Sequence, residues 1–476
     1  MSFIAPNNWI TNAGASIFRN KILSEGEIKS FIDFGDFKVF EDAGIQTMIF
    51  VFKKNIPPLE YSVKYLKVID KKIGPSAMSI SLQSEIGLST NQTVSYEANI
   101  IPKQLLNNYL EFPDTKIQTL CNKIKKDKIY LKKEEVATGI DVHQDFVSKS
   151  HLKRLSNATI GDGIFILNKK EMQKMKLVAS LDELNYIKPF FSTDELGRFY
   201  SNPNNKQWVI YTKSDIGDYI DSLPNIKYHL DKYMPVITSD NRPYGLHRAR
   251  VESFFTGEKI MSLRKCSRPT FTFTNFDCYV SQSYFVIKTE RFNLKYLTSL
   301  LNSSVIEFWL LNKGKLQGEN FQIDKEPLLN IPLVKADDET QLDVSKLHDK
   351  IVNLNSHFRD MDKETISFIN SRFGTTFKSI SDLNLSSIEK RPNPNSKLLL
   401  KSLDSQDFEI QQVFYSGLNQ KQVELKSLKV EIDSLECQIN QKVYELYNLT
   451  PEEIEIVESS LEITTLSDNE NLINSN

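Results

Sequence analysis

Between Leu300 and Leu333 the chain reads LLNSSVIEFWLLNKGKLQGENFQIDKEPLLNIPL, and this stretch limits the fold more than any other. Leu297, Leu300, Leu301, Val305, Phe308 and Trp309 recur at three- and four-residue intervals, the period of one buried helix face. The pattern stops at Asn312. Gly314 and Gly318 then stand among Lys313, Lys315, Gln317, Asn320 and Gln322, before a short Pro-bounded strand ends the segment. Glycines let a backbone approach a ligand closely. Asn and Gln can satisfy both the donor and the acceptor on an adenine edge, and lysines meet phosphates. Two readings stay open from these residues: a helix followed by an ordinary polar loop, or a loop that faces a ligand.

At 476 residues the chain is long enough for two or three domains, each with its own core. The formal net charge is −2, so any polyanion-binding surface has to be a local patch. Four cysteines (Cys121, Cys266, Cys278, Cys437) form no CxxC pair and have no histidine spacing beside them. No metal site is expected, and a reduced cytoplasmic chain is the simplest account. Residues 1–10 lack the pattern of a signal peptide, and the longest apolar run, near Ile45–Phe52, is far too short to span a membrane.

The expected fold class is mixed α/β. Ser2–Pro6 reads as a buried strand on which the chain begins almost directly, as the second half of a domain would. Asn12–Leu23 reads as a helix with Arg19 facing out, and Ile28–Phe34 and Thr47–Phe52 as strands around a polar turn, Glu41–Gln46. Residues 1–70 therefore suggest an α/β layer and 71–133 a connecting segment. Residues 134–335 suggest an α+β domain, with strands near Gly163–Leu167, Trp208–Thr212 and Tyr279–Lys288. Residues 336–460 read as C-terminal helices in a hairpin, one over Asp343–Phe373 and one from Phe408. Leu425, Leu428, Ile432, Leu435 and Ile439 of the second keep a heptad spacing that Val443 and Leu446 continue imperfectly. That run fits either packing within the chain or docking to a partner. Thr450-Pro451-Glu452-Glu453 is a helix start, and residues 461–476 are polar enough to predict a disordered tail.

Asn241–Arg268 concentrates Arg242, His247, Arg248, Arg250, Lys259, Arg264, Lys265 and Arg268 against only Glu252 and Glu258, with Tyr244, Phe254 and Phe255 interleaved. Such a cluster inside a neutral chain suits phosphate binding, and arginine can also read guanine with a two-pronged contact. Arg248 and Arg250 are spaced to share one strand face.

The order LNS, FW, GKLQGENFQIDKEPL and NIP resembles the end of the target-recognition domain of TaqI-type adenine-specific DNA methyltransferases, above all the long single-chain type IIG restriction–modification enzymes. LDELNYIKPFFSTDELGRFYSNPNNKQWVIYT and YHLDKYMPVITSDNRPYGLHRARVESFFTGEKIMSLRKCSRPTFTF resemble the same domain in order and spacing, and LTPEEIEIVE resembles the closing helix of such enzymes. FIAPNNWITNAGASIFRNKIL and IKSFIDFGDFKVFEDAGIQTMIFVFKK resemble the methyltransferase segment after the catalytic loop. Residues 1–70 are then a remnant of a methyltransferase catalytic fold and 134–335 the target-recognition domain. The resemblance implies double-stranded DNA as the partner. It also implies that Phe40 stacks on a flipped adenine, which offsets part of the extrusion cost. S-adenosyl-L-methionine is implied as the methyl donor of the complete enzyme, yet its Gly-rich loop has no match here; Gly161-Asp162-Gly163 is a lone turn. No catalytic Asn-Pro-Pro-Tyr is present, and Asn55-Ile56-Pro57-Pro58-Leu59-Glu60-Tyr61 breaks the spacing. The expectation is sequence-specific recognition by a chain inactive alone, which either needs a separate chain carrying the donor site and catalytic loop or is a truncated gene product. A stand-alone specificity subunit, docking a methyltransferase or nuclease through its heptad run, and a degenerate remnant are the alternatives.

Overall fold

A computed structural model describes residues 1–10, 12–40, 45–83, 90, 92–317, 320–383, 394–404 and 406–474. The chain divides into two compact units, Met1–Asp127 with Glu462–Asn476, and Lys128–Leu461.

In the first unit, runs rich in β-branched and aromatic residues become β1 (Ser2–Pro6), β2 (Gly26–Asp33), β3 (Thr47–Lys54), β4 (Tyr61–Val68) and β5 (Thr93–Ile100). They form a five-stranded sheet in the order β1-β3-β2-β4-β5. Only β2 and β4 pair in parallel. Its core gathers Trp9, Leu23, Ile28, Phe31, Phe50, Val63 and Ala98. Three expectations change here. β1 is an exposed edge strand, with Phe3 43 % and Ile4 48 % accessible, because only β3 pairs with it. Arg19 lies in α1 (Ser16–Glu25) and points inward, donating to the carbonyls of Trp9 (2.7 Å), Asn12 (2.6 Å) and Asn108 (3.0 Å), while Ile17 faces solvent. Residues 71–133 do more than connect: β5 completes the sheet, and Asp114 caps a helix over Thr115–Lys125 that buries Leu120, Cys121 and Ile124.

The second unit is built on two four-stranded sheets. One orders β15 (Tyr279–Val280), β8 (Ile187–Phe191), β11 (Gln207–Ile210) and β7 (Ile166–Asn168); the other orders β14 (Phe271–Thr274), β12 (Lys259–Leu263), β16 (Tyr284–Ile287) and β6 (Val136–Thr138). A pair of two-residue strands, β9 (Leu196–Gly197) and β10 (Tyr200–Ser201), stands apart. The apolar stripe expected to make one helix makes two, α2 (Leu294–Leu301) and α3 (Ser304–Lys313), because Asn302 and Ser303 interrupt it. Buried Asn302 receives a hydrogen bond from the Phe271 N–H (3.0 Å) and donates to the Phe271 carbonyl (2.8 Å), so it serves β14 as a third strand edge would. The expected closing strand becomes a short helix over Lys325–Leu329 and an isolated bridge between Leu333 and Ile129.

The C-terminal helices are α4 (Asp338–Phe373), α5 (Pro394–Asp404), α6 (Phe408–Leu446) and α7 (Pro451–Asn474). Leu425, Ile432, Leu435, Ile439 and Val443 of the heptad run are buried, and α6 packs against α4. Most of the run is therefore used inside the chain, with Leu428 and Leu446 half-buried. At the start of α7 the Thr450 N–H donates to Glu453 Oε2 (2.8 Å) and the Glu453 N–H to Thr450 Oγ1 (3.3 Å), a capping box. The helix runs through the segment whose composition predicts disorder, as far as Asn474.

Candidate nucleic-acid interface

The amide-rich loop after α3 is a hairpin. β17 (Leu316–Gln317) pairs with β18 (Asn320–Gln322), which pairs on its other side with β13 (Lys265–Cys266), setting Lys265 opposite Gln322 and Cys266 opposite Phe321. Buried Cys266 and Phe321 anchor this sheet, while Lys265, Lys313 and Lys315 are exposed and Asn320 and Gln322 half-buried. Gly318 and Glu319 lie outside the described residues, as does the Gln317 side chain. Asp324 collects the neighbouring donors: Arg264 Nη2 at 2.8 Å, Gln322 Nε2 at 2.9 Å and Lys315 Nζ at 3.5 Å. The Arg264 guanidinium holds the Asp324 carboxyl below its usual range. Arg264 also donates to the Gln282 carbonyl (3.0 Å) and lies over the Phe285 ring. It is committed within the protein, leaving the lysines to face outward.

The second group sits on a braced loop. Ser239 Oγ donates to the Gly245 carbonyl (2.7 Å) and Asn241 Nδ2 to the Leu246 carbonyl (2.8 Å). A Cβ at Gly245 would stand 2.8 Å from the Lys213 carbonyl oxygen, so the chain closes here only on glycine. Arg242 and Arg248 are exposed. Among the described residues Arg248 has one ion-pair partner, Asp240 at 3.6 Å, in a solvent-facing pair of the kind that contributes little. The His247 ring lies 4.7 Å from that of His143; its Nδ1 accepts from the Asp240 N–H (3.2 Å), and its Nε2 is 4.0 Å from Asp141. The Tyr244 hydroxyl donates to Asp231 (2.8 Å). Arg250 departs from the expected shared face. Its φ of 71° is left-handed and breaks strand alternation, and its Nε donates to the Gly139 carbonyl at 3.3 Å. Burial lowers its pKa.

Backbone bonds join the two groups. Arg248 pairs with Asp141, the Ile140 N–H donates to the Val280 carbonyl (2.8 Å) and the Gln282 N–H to the Ile140 carbonyl (2.7 Å), and the Gln282 carbonyl receives Arg264. The exposed cations thus share one framework.

Arg268 belongs to another network. Its Nε meets Glu307 at 2.9 Å and its Nη1 meets Glu436 at 3.4 Å, while Arg198 reaches the same Glu436 oxygen at 3.0 Å. Arg198 also donates to the Pro269 carbonyl (3.1 Å), to Asn302 Oδ1 (3.2 Å) and to the Asn302 carbonyl. Burial pushes the Glu436 carboxyl up, but the two guanidiniums outweigh it and hold it below its ordinary range. Arg268 is accordingly a brace between the sheet and α6. Lys259 is fully buried, donating to the carbonyls of Gly257 (2.7 Å) and Phe276 (2.6 Å), and burial lowers its pKa to about 8. Composition hid both fates, since the deciding acids and carbonyls are remote in sequence. His143, Asp240, Asp324 and Arg198 escaped assignment for the same reason.

In the first unit Phe40 is 51 % accessible on the turn between β2 and β3; residues 41–44 beside it lie outside the described residues. A Cβ at Gly26 would meet the Lys53 carbonyl at 2.3 Å and one at Gly35 the Val68 carbonyl at 2.8 Å, so both glycines face neighbouring strands and not an open pocket. Among the described residues no group of three His, Cys, Asp or Glu could hold a metal ion, and no helix is long and apolar enough to cross a membrane.

A family model described as the TaqI-like C-terminal specificity domain matches residues 211–333, which contain both groups of exposed cations. The chain is 22 % identical over 372 residues to the type II methyltransferase M.HindII of Haemophilus influenzae, covering 74 % of this chain and 67 % of that protein. It is 23 % identical over 371 residues to the type II methyltransferase M.HincII of the same species, covering 74 % and 66 %. Among solved structures it resembles the type IIL restriction–modification enzyme MmeI in complex with DNA, with a TM-score of 0.44, 13 % identity and coverage of 98 % of this chain and 50 % of that one. It also resembles the type IIG restriction endonuclease BpuSI, with a TM-score of 0.32, 12 % identity and coverage of 73 % and 42 %. The chain thus spans about two thirds of the length of those methyltransferases and half or less of the two structures.

Proposed function

From a chain that carries a TaqI-like C-terminal specificity domain over residues 211–333, we propose that it recognises a specific sequence in double-stranded DNA within an adenine-N6 methylation, restriction–modification system. The observation that carries this reading is the set of exposed cations, Arg242, Arg248, Lys265, Lys313 and Lys315, held on one hydrogen-bonded framework within that domain. Lysines and Arg242 suit phosphates, which position a protein on a duplex. Arg248 and the amides of Asn320 and Gln322 suit base edges in the major groove. His247 and Tyr244 shape the loop that presents them. Phe40 is assigned to stacking on the extruded adenine, as its exposure permits. Methyl transfer itself would draw S-adenosylmethionine and a catalytic loop from elsewhere in the complete enzyme, or from a separate chain.

The test is duplex binding by the chain across a salt series. Four phosphate contacts, from Arg242, Lys265, Lys313 and Lys315, predict a slope of log K against log salt of about −4 or steeper. A flat response, or no retardation of duplex at low salt, would overturn the reading.

A further inference from the structure

We propose a second DNA-contacting surface, outside the matched domain, at the loop Ser148–Arg154, which would grip the phosphodiester backbone flanking the recognised sequence. The proposal rests on the DNA reading above and extends it to a loop that precedes residues 211–333 in the chain.

The loop reads Ser-Lys-Ser-His-Leu-Lys-Arg and contains no acid. Lys149, Lys153 and Arg154 are exposed, and none has an ion pair within 4 Å among the described residues. That sets them apart from Arg264 and Arg268, whose charges are met by carboxylates. The nearby Asp162 is occupied in its own turn, accepting from the Thr159 N–H (2.8 Å) and hydroxyl (2.7 Å). Three cations left without partners within one turn repel each other, and a polyanion relieves that repulsion.

The loop is also held in place. Buried Val147 and Leu155 pin its two ends, and Val147 exchanges backbone hydrogen bonds with the turn below it, to Asp162 (2.8 Å) and from Gly161 (2.9 Å). Inside the loop the Ser148 N–H donates to His151 Nδ1 (3.2 Å), closing a short 3-10 turn over His151–Lys153. Side chains displayed on a fixed turn lose less freedom on binding than those on a loose one.

Position decides the partner. The same chain passes through the candidate interface just before it reaches the loop, with Asp141 paired to Arg248 and the His143 ring against His247. From His143 to Lys149 the backbone can span at most about 20 Å. One duplex turn is ~34 Å, so a duplex of two turns or more centred on Arg248 extends past the loop's reach in both directions. The occupant that fits is more of the same duplex, met mainly through its phosphates, since two of the loop's three cations are lysines and it has no Asn or Gln to read a base edge.

The experiment compares the full chain with its K149Q/K153Q/R154Q variant on a duplex that extends beyond the specific site. Each lost phosphate contact removes ~0.9 from the salt slope, so the variant should be shallower by about 2 to 3. Preference for specific over random sequence should stay the same. A variant slope equal to that of a steeply responding parent would overturn this proposal and leave the domain reading standing. A parent with no salt-dependent binding would overturn both. Lys153→Glu alone, at an exposed position, should reduce affinity more than Lys153→Gln if a phosphate lies there, and equal affinities would count against it.

Discussion

Two halves of one arginine-rich run meet opposite fates. Around residues 239–250 the arginines at 242 and 248 stay in solvent on a loop braced by Ser239, Asn241 and Gly245. Around 264–268, Arg264 is met by Asp324 and Arg268 by Glu307 and Glu436. Charge density along the chain is similar in both. What differs is whether folding brings a carboxylate to the guanidinium, and every deciding acid in the second half arrives from a distant helix or turn. An arginine cluster therefore marks a region, and tertiary pairing selects which members remain for a ligand.

The contrast predicts that the braces govern stability and the free cations do not. The largest effect should come from Arg198→Met. It removes the hub that joins Asn302, the Pro269 carbonyl and Glu436, leaving a largely buried carboxylate short of a partner. Breaking a buried pair from one side costs about 3 to 5 kcal/mol. Urea unfolding would measure it, and a loss below ~1 kcal/mol would mean that the network is not a brace.

Glu135 comes next. Its carboxylate accepts from Thr289 Oγ1 (2.6 Å) and Arg291 Nε (2.7 Å) at the base of β6. Burial raises its pKa, but Arg291, the Lys132 N–H and Thr289 outweigh that and bring it to about 2, from an ordinary 4.5. A depressed carboxylate stabilises the fold fully above the unfolded value and loses that contribution as pH falls through the folded one. The shift corresponds to about 3 kcal/mol, present at pH 7 and lost between about pH 4.5 and 2. Glu135→Gln should cost a similar amount at pH 7 and flatten acid unfolding in that window. An unchanged acid profile would assign the acid sensitivity to other groups.

Much of the architecture was legible before the structure. Apolar periodicity marked the stripe from Leu297 to Trp309 because each residue on a buried helix face is itself apolar. The break into two helices was not legible, since Asn302 acts by bonding to the backbone of Phe271, which no local pattern encodes. The heptad spacing in α6 located a seam but not its partner, which proves to be α4 of the same chain. Within the interface, Lys265, Lys315 and Gln322 could be nominated by type; that β13 and β18 would set Lys265 opposite Gln322 depends on a pairing across more than fifty residues. Spacing places Arg250 on the strand face of Arg248, but its left-handed φ breaks that alternation. Composition places Arg19 in solvent, but short turns bring the carbonyls of Trp9 and Asn12 within its reach.

The smallest effect on stability, and the sharpest test of the contrast, belongs to the double variant Arg242→Ala, Arg248→Ala. Neither side chain fills a core, and the one ion-pair partner among the described residues, Asp240, stands in solvent 3.6 Å from Arg248. Exposed substitutions of this kind shift stability by no more than about 0.5 kcal/mol. The loop backbone does not depend on either side chain, because Ser239, Asn241 and the Asp141–Arg248 backbone pairing hold it. Duplex binding should nevertheless weaken, with the salt slope shallower by about 2 if both guanidiniums meet phosphates. If Arg248 reads a base edge, the slope falls by only about 1, and the preference for specific over random duplex falls with it, by roughly 1 to 3 kcal/mol. A destabilised variant would show that these arginines are braces like Arg198. A stable variant with unchanged binding would show that exposure alone does not mark the DNA-facing members of the cluster.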